Sequence, residues 1–469
     1  MRPDAAIQPA RPQPSPRPRG IRGAGTERSG WRVALFVAGF PVRSETFVVR
    51  QVAGLREQGH QVDIFADWRP AEHGEEVQPE GRDPGLLEGV TYMDMPTASS
   101  PWELPAWPPW GRTWVPGSHR ALLNVSRWCQ AAPHALRCLL HAPRLAWHVT
   151  RRSEYGFQAQ SLSSLYRLSR LCRASGPYDV LHAHFGPVAN SFRFARERFR
   201  APLVATFHGY DFTTVPREQG RHVYEKLFQV VDAVTVNSQF ARSCVTRLGC
   251  PPDRVHLLPM GVDPERFPFQ ARRRATGQPT RLLTVARLVP IKGHDVALEA
   301  VRRLRSAGRD VTYDIVGEGP QRETLRQRAA SLDLDACVRF HPACDGDGVR
   351  QWMERSHVFI LPSRSIGDGA EAQGLVLQEA QASGMPVVGS DAGGIPEGLL
   401  PGISGLLFPE GDAEALAARL ERLVSRPAEW DAMGRAGRDF VLRRFHLRDL
   451  NSRWPEIYGE AQRHYQSHP

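Results

Sequence analysis

The stretch Gly374-Leu-Val-Leu-Gln-Glu-Ala-Gln-Ala-Ser-Gly384-Met-Pro386-Val-Val388 predicts a helix that is followed at once by a buried strand. Gly374 precedes an apolar helical run, Gly384 is typical of the position just past a helix end, and Pro386 prevents the helix from continuing. The strand that follows is short and apolar, as in a parallel sheet covered on both faces. This alternation indicates an α/β fold.

The same alternation continues in both directions. Strands are predicted at 281–286, 311–316, 338–340, 358–361, 386–389 and 405–408, and in the N-terminal half at 32–37, 61–66, 179–184, 203–207, 233–236 and 255–258. We therefore expect two Rossmann-like, doubly wound parallel-sheet domains that face a central cleft, where ligands bind beyond the carboxyl ends of the strands. The first β–α turn contains Gly39 but no G-x-G-x-x-G, which argues against a dinucleotide dehydrogenase.

Composition limits the possible classes of protein. With 469 residues the chain fits two or three domains, and 41% hydrophobic and 23% charged residues exclude wholesale disorder. No apolar run reaches the ~18 residues of a membrane-spanning helix, and the start of the chain lacks the apolar core of a secretory signal. Seven cysteines without a C-x-x-C pair predict neither a disulfide framework nor a zinc site, so the reducing cytosol is the simplest compartment.

Composition also predicts how the chain is divided. A polar, basic segment without hydrophobic periodicity, 269–280, is the expected linker. We assign the following ranges: a disordered leader, 1–30; a first domain, 31–272, with an irregular and then basic helical insert, 67–175; a second domain, 273–447; and a final helical part, 448–469.

The positive charge is concentrated in one segment. The chain has 60 Lys and Arg residues against 50 acids, and only Lys226 and Lys292 are lysines. Residues 112–173 hold ten arginines and one acid, Glu154, a net charge of +9. This concentration suggests an anionic partner, either a membrane surface, a phosphate-bearing substrate or nucleic acid. A solvated arginine-rich face is the alternative.

Two glutamates flank the start of the quoted helix. That helix end follows a strand, where free N–H groups of Gly374, Leu375 and Val376 and the helix dipole suit a phosphate. Glu371 lies in the preceding loop and Glu379 inside the helix, and ionised carboxylates accept hydrogen bonds from sugar hydroxyls. The alternative is a buried helix with two incidental acids.

Two cations flank the turn after the strand at 281–286. Arg287 and Lys292 there can hold a diphosphate and stabilise its charge as it leaves. In so arginine-rich a chain, a lysine at 292 suggests that a compact point charge is needed, whereas Lys226 has no evident role. A pair of surface cations is the alternative.

Three histidines follow or occupy strands. His208, directly after the strand at 203–207, can bond a substrate hydroxyl or be a purely structural residue. His182 and His184 share a strand face, but the sequence supplies no third ligand. We therefore predict no metal and no cofactor.

Together these residues resemble the donor-site signature of glycosyltransferase family 4, a group of retaining sugar transferases with the GT-B fold. Its E-x7-E element falls on Glu371 and Glu379, and its Arg/Lys phosphate pair on Arg287 and Lys292. Further matches are 258–263 and 316–320 in the C-terminal part and, more thinly, 40–47, 182–186 and 208–211, which are similar to members that act in exopolysaccharide or colanic-acid-type assembly. Gln373 and Gln378 replace residues that are more often apolar, which we interpret as tolerated variation. The insert 67–175 matches no family that we can name.

The resemblance implies a role for each matched residue. Glu379 would hold the nucleotide ribose and Glu371 the donor sugar, while Arg287 and Lys292 would hold the diphosphate. His208 would contact the donor sugar from the opposite domain. The rest of the donor would be contacted by Ser44, Gly317 and the backbone of Gly374, Leu375 and Val376. The first domain would be the acceptor side, the second would bind the nucleotide-sugar, and the last helix would return to the first domain.

The expected function is therefore metal-independent hexosyl transfer from a nucleotide diphosphate-sugar to a saccharide or lipid-linked acceptor in cell-surface polysaccharide assembly. The expected location is the cytoplasm, with 112–173 against the anionic inner face of the membrane and no nucleic acid as partner. One alternative is a nucleotide-sugar epimerase of the same fold, which would need no acceptor. The other is a non-enzymatic basic membrane or nucleic-acid adaptor, although no nucleic-acid module is visible.

Overall fold

The computed structural model describes residues 30–42, 45–69, 85–93, 118–367 and 369–468, and only the backbone for 118–129. The predicted leader up to residue 29, the site candidate Ser44 and much of the irregular part of the insert lie outside these ranges. None of the helices in the described part is both long and apolar enough to cross a bilayer.

Two fully parallel sheets form the centres of the two halves. The first has the order β3-β2-β1-β4-β5-β6-β7, with β1 Arg32–Gly39, β2 Gln61–Trp68, β3 Val90–Tyr92, β4 Val180–His184, β5 Leu203–Phe207, β6 Ala233–Val236 and β7 Val255–Leu257. The second has the order β10-β9-β8-β11-β12-β13, with β8 Thr280–Val285, β9 Val311–Val316, β10 Val338–His341, β11 Val358–Leu361, β12 Val387–Ser390 and β13 Gly405–Phe408. The predicted pair of Rossmann-like α/β domains is confirmed.

Helices cover both faces of the sheets, which is why the strands are apolar along almost their whole length. They are α1 Thr46–Glu57, α2 Ser118–His141, α3 Pro143–Val149, α4 Arg152–Tyr155, α5 Phe157–Gln160, α6 Ser163–Leu171, α7 Gly186–Phe192, α8 Ala195–Phe199, α9 Tyr210–Gln219, α10 Glu225–Val230, α11 Gln239–Arg247, α12 His294–Ser306, α13 Arg322–Ser331, α14 Gly346–Arg355, α15 Leu375–Ala382, α16 Ala413–Ser425, α17 Trp430–Arg444, α18 Leu447–Asn451 and α19 Trp454–Ser467.

One strand was not predicted. β3 lies inside the segment 67–115, for which the sequence predicts irregular structure, and it pairs in parallel with β2, with Val90 opposite Ile64. Three residues are too few for hydrophobic alternation to be recognised, and an edge strand depends on its neighbour for hydrogen bonds. The prediction of a wholly irregular segment is therefore wrong at this point.

The two halves are joined by more than the connecting segment. Trp454 and Tyr458 of α19 are buried against the first sheet, in a cluster with Val33 and Leu35. In the predicted linker, Arg272 is buried and donates hydrogen bonds to backbone carbonyls of the second domain, among them that of Met353 at 2.8 Å. These contacts fix the relative placement of the two sheets and so the shape of the cleft.

Candidate functional site

The turn after β8 carries Lys292 and is held by the turn after β9. The N–H of Leu288 donates to the carbonyl oxygen of Glu318 at 2.7 Å. Gly317 has φ +155°, and a Cβ there would lie 2.0 Å from the carbonyl oxygen of Ala286, so only glycine fits. The turn at 286–293 therefore has a defined shape, and Lys292 ends the short 3₁₀ turn within it.

Lys292 and Glu371 form an ion pair at the carboxyl end of the second sheet. Ser363 Oγ also donates to Glu371 Oε2, at 3.3 Å. Burial by itself raises the pKa of Glu371, but the charges of Lys292 and Arg287 and the two hydrogen bonds outweigh it, so the pKa lies below its usual value. Glu371 is thus ionised at neutral pH and can accept a bond from a sugar hydroxyl, while the ammonium group has three donors and can bind a second anion.

Arg287 lies in the same turn but is exposed. Its backbone carbonyl accepts a hydrogen bond from His294 Nε2 at 3.0 Å, which anchors the turn to α12. The guanidinium is close enough to Glu371 to lower the pKa of that carboxyl group. Arg287 is therefore available to a ligand that enters from solvent.

The N-terminus of α15 lies beside Glu371. Gly374 precedes the helix with φ +74°, and a Cβ there would lie 2.8 Å from Leu361 Cδ2 and 3.6 Å from Glu371 Cγ. The N–H groups of the first helical turn, which includes Leu375 and Val376, have no acceptor inside a helix. With the helix dipole, they provide a site for an anion close to Glu371, the partner of Lys292.

Glu379 meets a cation from the other domain. Its Oε1 lies 3.2 Å from Nη1 of Arg50 on α1, and both residues are almost completely buried. The ion pair crosses between the two halves, so the carboxylate assigned to ribose binding is held on the cleft side of α15. Sequence reasoning missed Arg50, because one more arginine in an amphipathic helix carries no signal in this chain.

His208 is held on the opposite side of the cleft by a buried carboxylate. Asp211 accepts hydrogen bonds from the N–H groups of His208 at 3.0 Å, Gly209 at 2.8 Å and Gly186 at 3.2 Å. Burial raises the pKa of Asp211 to about 6, although these N–H groups oppose the shift. Asp211 thus fixes the loop after β5. Sequence reasoning assigned Asp211 no role, although the residue ends the quoted motif 208–211.

The His208 ring belongs to a stack of three histidines, of which His182 and His184 are completely buried. His208 Nε2 lies 3.0 Å from His184 Nδ1, and the His184 ring stacks on that of His182 with 4.7 Å between centroids. His182 bonds to Tyr458 of α19 at 2.9 Å. Burial lowers the pKa of all three, that of His184 to about 3, so the rings are neutral at pH 7. No group of metal-ligating side chains is found among the described residues.

We expect these histidines to make the fold acid-sensitive. Because the pKa of His184 is about 3 in the folded chain, against an ordinary histidine pKa of 6.5, the unfolded chain takes up the proton first as pH falls. The contribution of this one ring to the free energy of unfolding is fully present above pH 6.5. It decreases as the pH falls below 6.5, by about 2 kcal/mol at pH 5. Urea unfolding measures the free energy of unfolding at pH 7 and at pH 5. The loss between the two pH values should be about 2 kcal/mol smaller in His184→Asn than in the native chain. Equal pH dependences in the two chains would contradict this.

The two sides of the site are in contact. A Cβ at Gly209 would lie 3.3 Å from that of Ala372, so the loop of His208 abuts the loop of Glu371. Gln373 bonds to both backbone groups of Met260, accepting from its N–H at 2.8 Å and donating to its carbonyl at 2.9 Å. This buried glutamine, interpreted from the sequence as tolerated variation, therefore has a specific contact with the segment between the domains.

The structure thus brings together most of the predicted site residues. The side chains of Lys292, Glu371 and Arg287 share one neighbourhood, and the residues that position them or face them are Gly317, Gly374, Leu375, Val376, Glu379 and His208. Ser44 lies outside the described residues. Lys226 is elsewhere and pairs with Glu154 at 3.0 Å.

Two family models match the chain. Residues 117–266 match the model described as Glycosyltransferase Family 4, and residues 266–440 match the model described as Glycosyl transferases group 1. The matched ranges meet at the segment between the two sheets and include Lys292, Glu371, Glu379 and His208.

Similar proteins cover most of the chain. WcaL of Salmonella typhimurium, named as a colanic acid biosynthesis glycosyltransferase, is 32% identical over 408 residues, which cover 83% of this chain and 89% of the relative. AmsK of Erwinia amylovora, an amylovoran biosynthesis glycosyltransferase, is 30% identical over 406 residues, with 85% and 92% covered. Among solved structures, Alr3699/HepE of Anabaena in complex with UDP and glucose has a TM-score of 0.61, with 92% of this chain and 99% of that chain covered at 16% identity, which shows a likeness of fold alone.

Proposed function

Because the chain belongs to the family 4 glycosyltransferases, we propose that it transfers a sugar from a nucleotide diphosphate-sugar to a saccharide or lipid-linked acceptor, with retention of configuration at the transferred carbon. One observation supports this most strongly: Lys292, Glu371 and the N-terminus of α15 meet at the carboxyl end of the second sheet, opposite His208. Cation, carboxylate and helix end match the phosphates and hydroxyls of such a donor.

Each group then has a task. Lys292, Arg287 and the N–H groups of the first turn of α15 bind the diphosphate, and Glu379 binds the ribose. Glu371 accepts hydrogen bonds from the donor sugar, whose other side meets His208. Protein cations carry out the charge neutralisation for which other transferases use a metal ion, so the reaction is proposed to be metal-independent.

The transfer proceeds on one face of the sugar. The bond between the anomeric carbon and the diphosphate oxygen breaks while the acceptor oxygen bonds to the same carbon, and the acceptor proton passes to the leaving phosphate. Lys292 and the helix end stabilise the charge that develops on the diphosphate. Contacts between the halves, such as Arg50 with Glu379, exclude water when the donor is bound.

The relatives suggest the setting. WcaL and AmsK are named for colanic acid and amylovoran biosynthesis, and Alr3699/HepE was solved with UDP and glucose. We infer that this chain likewise acts in exopolysaccharide assembly.

Nucleotide binding tests the proposal most simply. A ligand at 100 times its Kd stabilises the folded state by about 2.7 kcal/mol, so UDP-, GDP- or ADP-sugars should raise Tm by roughly 3 °C when the base is the cognate one. Incubating that donor with and without acceptor then separates transfer from epimerisation, because an epimerase converts the donor alone. No stabilisation by any of the three classes would contradict the proposal.

A membrane surface is the proposed location of the acceptor. In α2 and α3, Leu136, Leu139, Leu140 and Trp147 are exposed by 57–73%, an unusual number of large apolar side chains in water. The same helical part of the insert also carries exposed arginines at 144, 151, 152 and 173. Apolar anchors among cations are complementary to an anionic bilayer surface.

Vesicle sedimentation checks this location. We expect binding to anionic vesicles that exceeds binding to neutral ones and falls with salt. Replacing both Leu140 and Trp147 by alanine should weaken it at least ~10-fold, since each buried side chain is worth about 1.5–3 kcal/mol. Ile403→Ala, which changes an equally exposed residue of the other domain, is the matched control. Equal binding to both kinds of vesicle would contradict the membrane location.

A further inference from the structure

A separate cavity of about 540 Å³ lies within the first domain. It is formed between the carboxyl end of the sheet, represented by Ala38 and Asp67, and the helical part of the insert, which contributes Tyr155, Phe157 and Gln158. Its volume is within the range of small-molecule sites.

The cavity reaches the reaction site. Phe185 lines it, and the ring of Phe185 is 4.5 Å from that of His208 between centroids. Tyr210, two residues after His208, also lines it. Phe185 has φ +70°, an unfavourable conformation for a side chain of this size and one often found at functional sites. A molecule in the cavity would therefore have one end next to the proposed position of the donor sugar.

The charges of the lining do not suit a phosphate. Arg167 is bound to both oxygens of Asp67, at 2.8 and 2.9 Å, and Arg193 donates to the carbonyl oxygens of Asn190 and Glu154. These are the only cations among the described lining residues, and both already have protein acceptors. Two of the three lining acids are paired as well, Asp67 with Arg167 and Glu154 with Lys226 at 3.0 Å, so the described lining offers no unpaired cation to a phosphate.

The lining suits an uncharged polyhydroxy compound. The aromatic residues Tyr155, Phe157, Tyr210 and Tyr224 line the cavity, and polar residues such as Gln158 line it as well. Tyr155 is 5% exposed, and its hydroxyl has no hydrogen-bond partner in the described part of the chain. A buried hydroxyl of this kind costs stability unless a ligand satisfies it.

We propose that this cavity binds the uncharged saccharide end of the acceptor. The inference rests on the proposed function and specifies the class of its second substrate. The reacting hydroxyl lies at the Phe185 end, next to His208, and any phosphate or lipid part of the acceptor remains outside the cavity.

Saturation-transfer NMR on the full chain tests this. The probes are octyl glucoside, galactoside and mannoside as monomers, with octyl phosphate as the anionic counterpart. We expect saturation of the sugar protons of at least one glycoside and none for octyl phosphate. Gln219→Trp, at the exposed rim, should weaken glycoside binding at least ~10-fold by obstruction, while Glu218→Trp, next to it but outside the lining, should not.

Tyr155→Phe is the second variant, because it removes a hydroxyl without a protein partner and should fold normally. We expect about 2- to 10-fold weaker glycoside binding, whereas Tyr465→Phe, outside the cavity, binds as the native chain does. The inference is overturned if no glycoside binds, if octyl phosphate binds instead, or if Gln219→Trp and Tyr155→Phe have no effect. Nucleotide stabilisation of the native chain is measured separately, so its failure would identify a fault in the proposed function and not in the cavity.

Discussion

Lys292→Ala should lower kcat at least ~100-fold, as is typical when a group that stabilises transition-state charge is removed. Lys292 is the cation in contact with Glu371, which in turn lies beside Gly374 at the N-terminus of α15. Without Lys292, fewer hydrogen-bond donors stabilise the negative charge on the leaving diphosphate, in a site that excludes water. Steady-state rates with the cognate donor measure the effect, and activity near the native level would refute the assigned role.

Two further variants refine this result. Arg309→Ala removes an exposed cation that pairs with Glu421 on the far side of the same domain, and it should leave kcat unchanged. Lys292→Arg keeps the charge but not its compact form, so we expect partial activity. Full activity of Lys292→Arg would show that position 292 needs a positive charge but not the compact charge of a lysine.

Glu379→Ala should raise the KM for the donor by about 10- to 100-fold, the equivalent of a lost hydrogen bond to a charged group. It should also destabilise the fold by about 3–5 kcal/mol, because Arg50 would remain buried without the carboxylate that it contacts at 3.2 Å. Donor titration and urea unfolding measure the two effects separately.

A double substitution separates binding from stability. Arg50→Leu with Glu379→Leu removes both charges, and replacing a whole buried pair by apolar residues is often neutral for stability. We expect stability close to that of the native chain but a donor KM that is still raised. A native KM in the double variant would show that Glu379 serves only to join the two halves.

The sequence predicts the fold well because its signals are local. Five predicted strands, among them 358–361 at β11, have the observed bounds, and the others differ by one or two residues at their ends, as 281–286 does from β8. Hydrophobic runs and helix-ending glycines are read along the chain itself. β3 was missed because its pairing with β2, and not its own pattern, makes it a strand.

The site could be predicted where one motif spans a loop and a helix start, as at Glu371 and Gly374. The sequence does not predict which residue, distant along the chain, contacts each of the site residues. Arg50 reaches Glu379 from 329 residues away, and Gln373 reaches Met260 from 113 away. Such contacts depend on how the two sheets are placed, which local periodicity does not encode.

The nucleotide diphosphate-sugar is proposed to bind in the cleft at Lys292. A crystal structure of the chain with the stabilising nucleoside diphosphate tests it most directly. We predict diphosphate oxygens within hydrogen-bond distance of Lys292 and of the first N–H groups of α15, with the ribose on Glu379. A diphosphate bound elsewhere, with none of these contacts, would contradict the account.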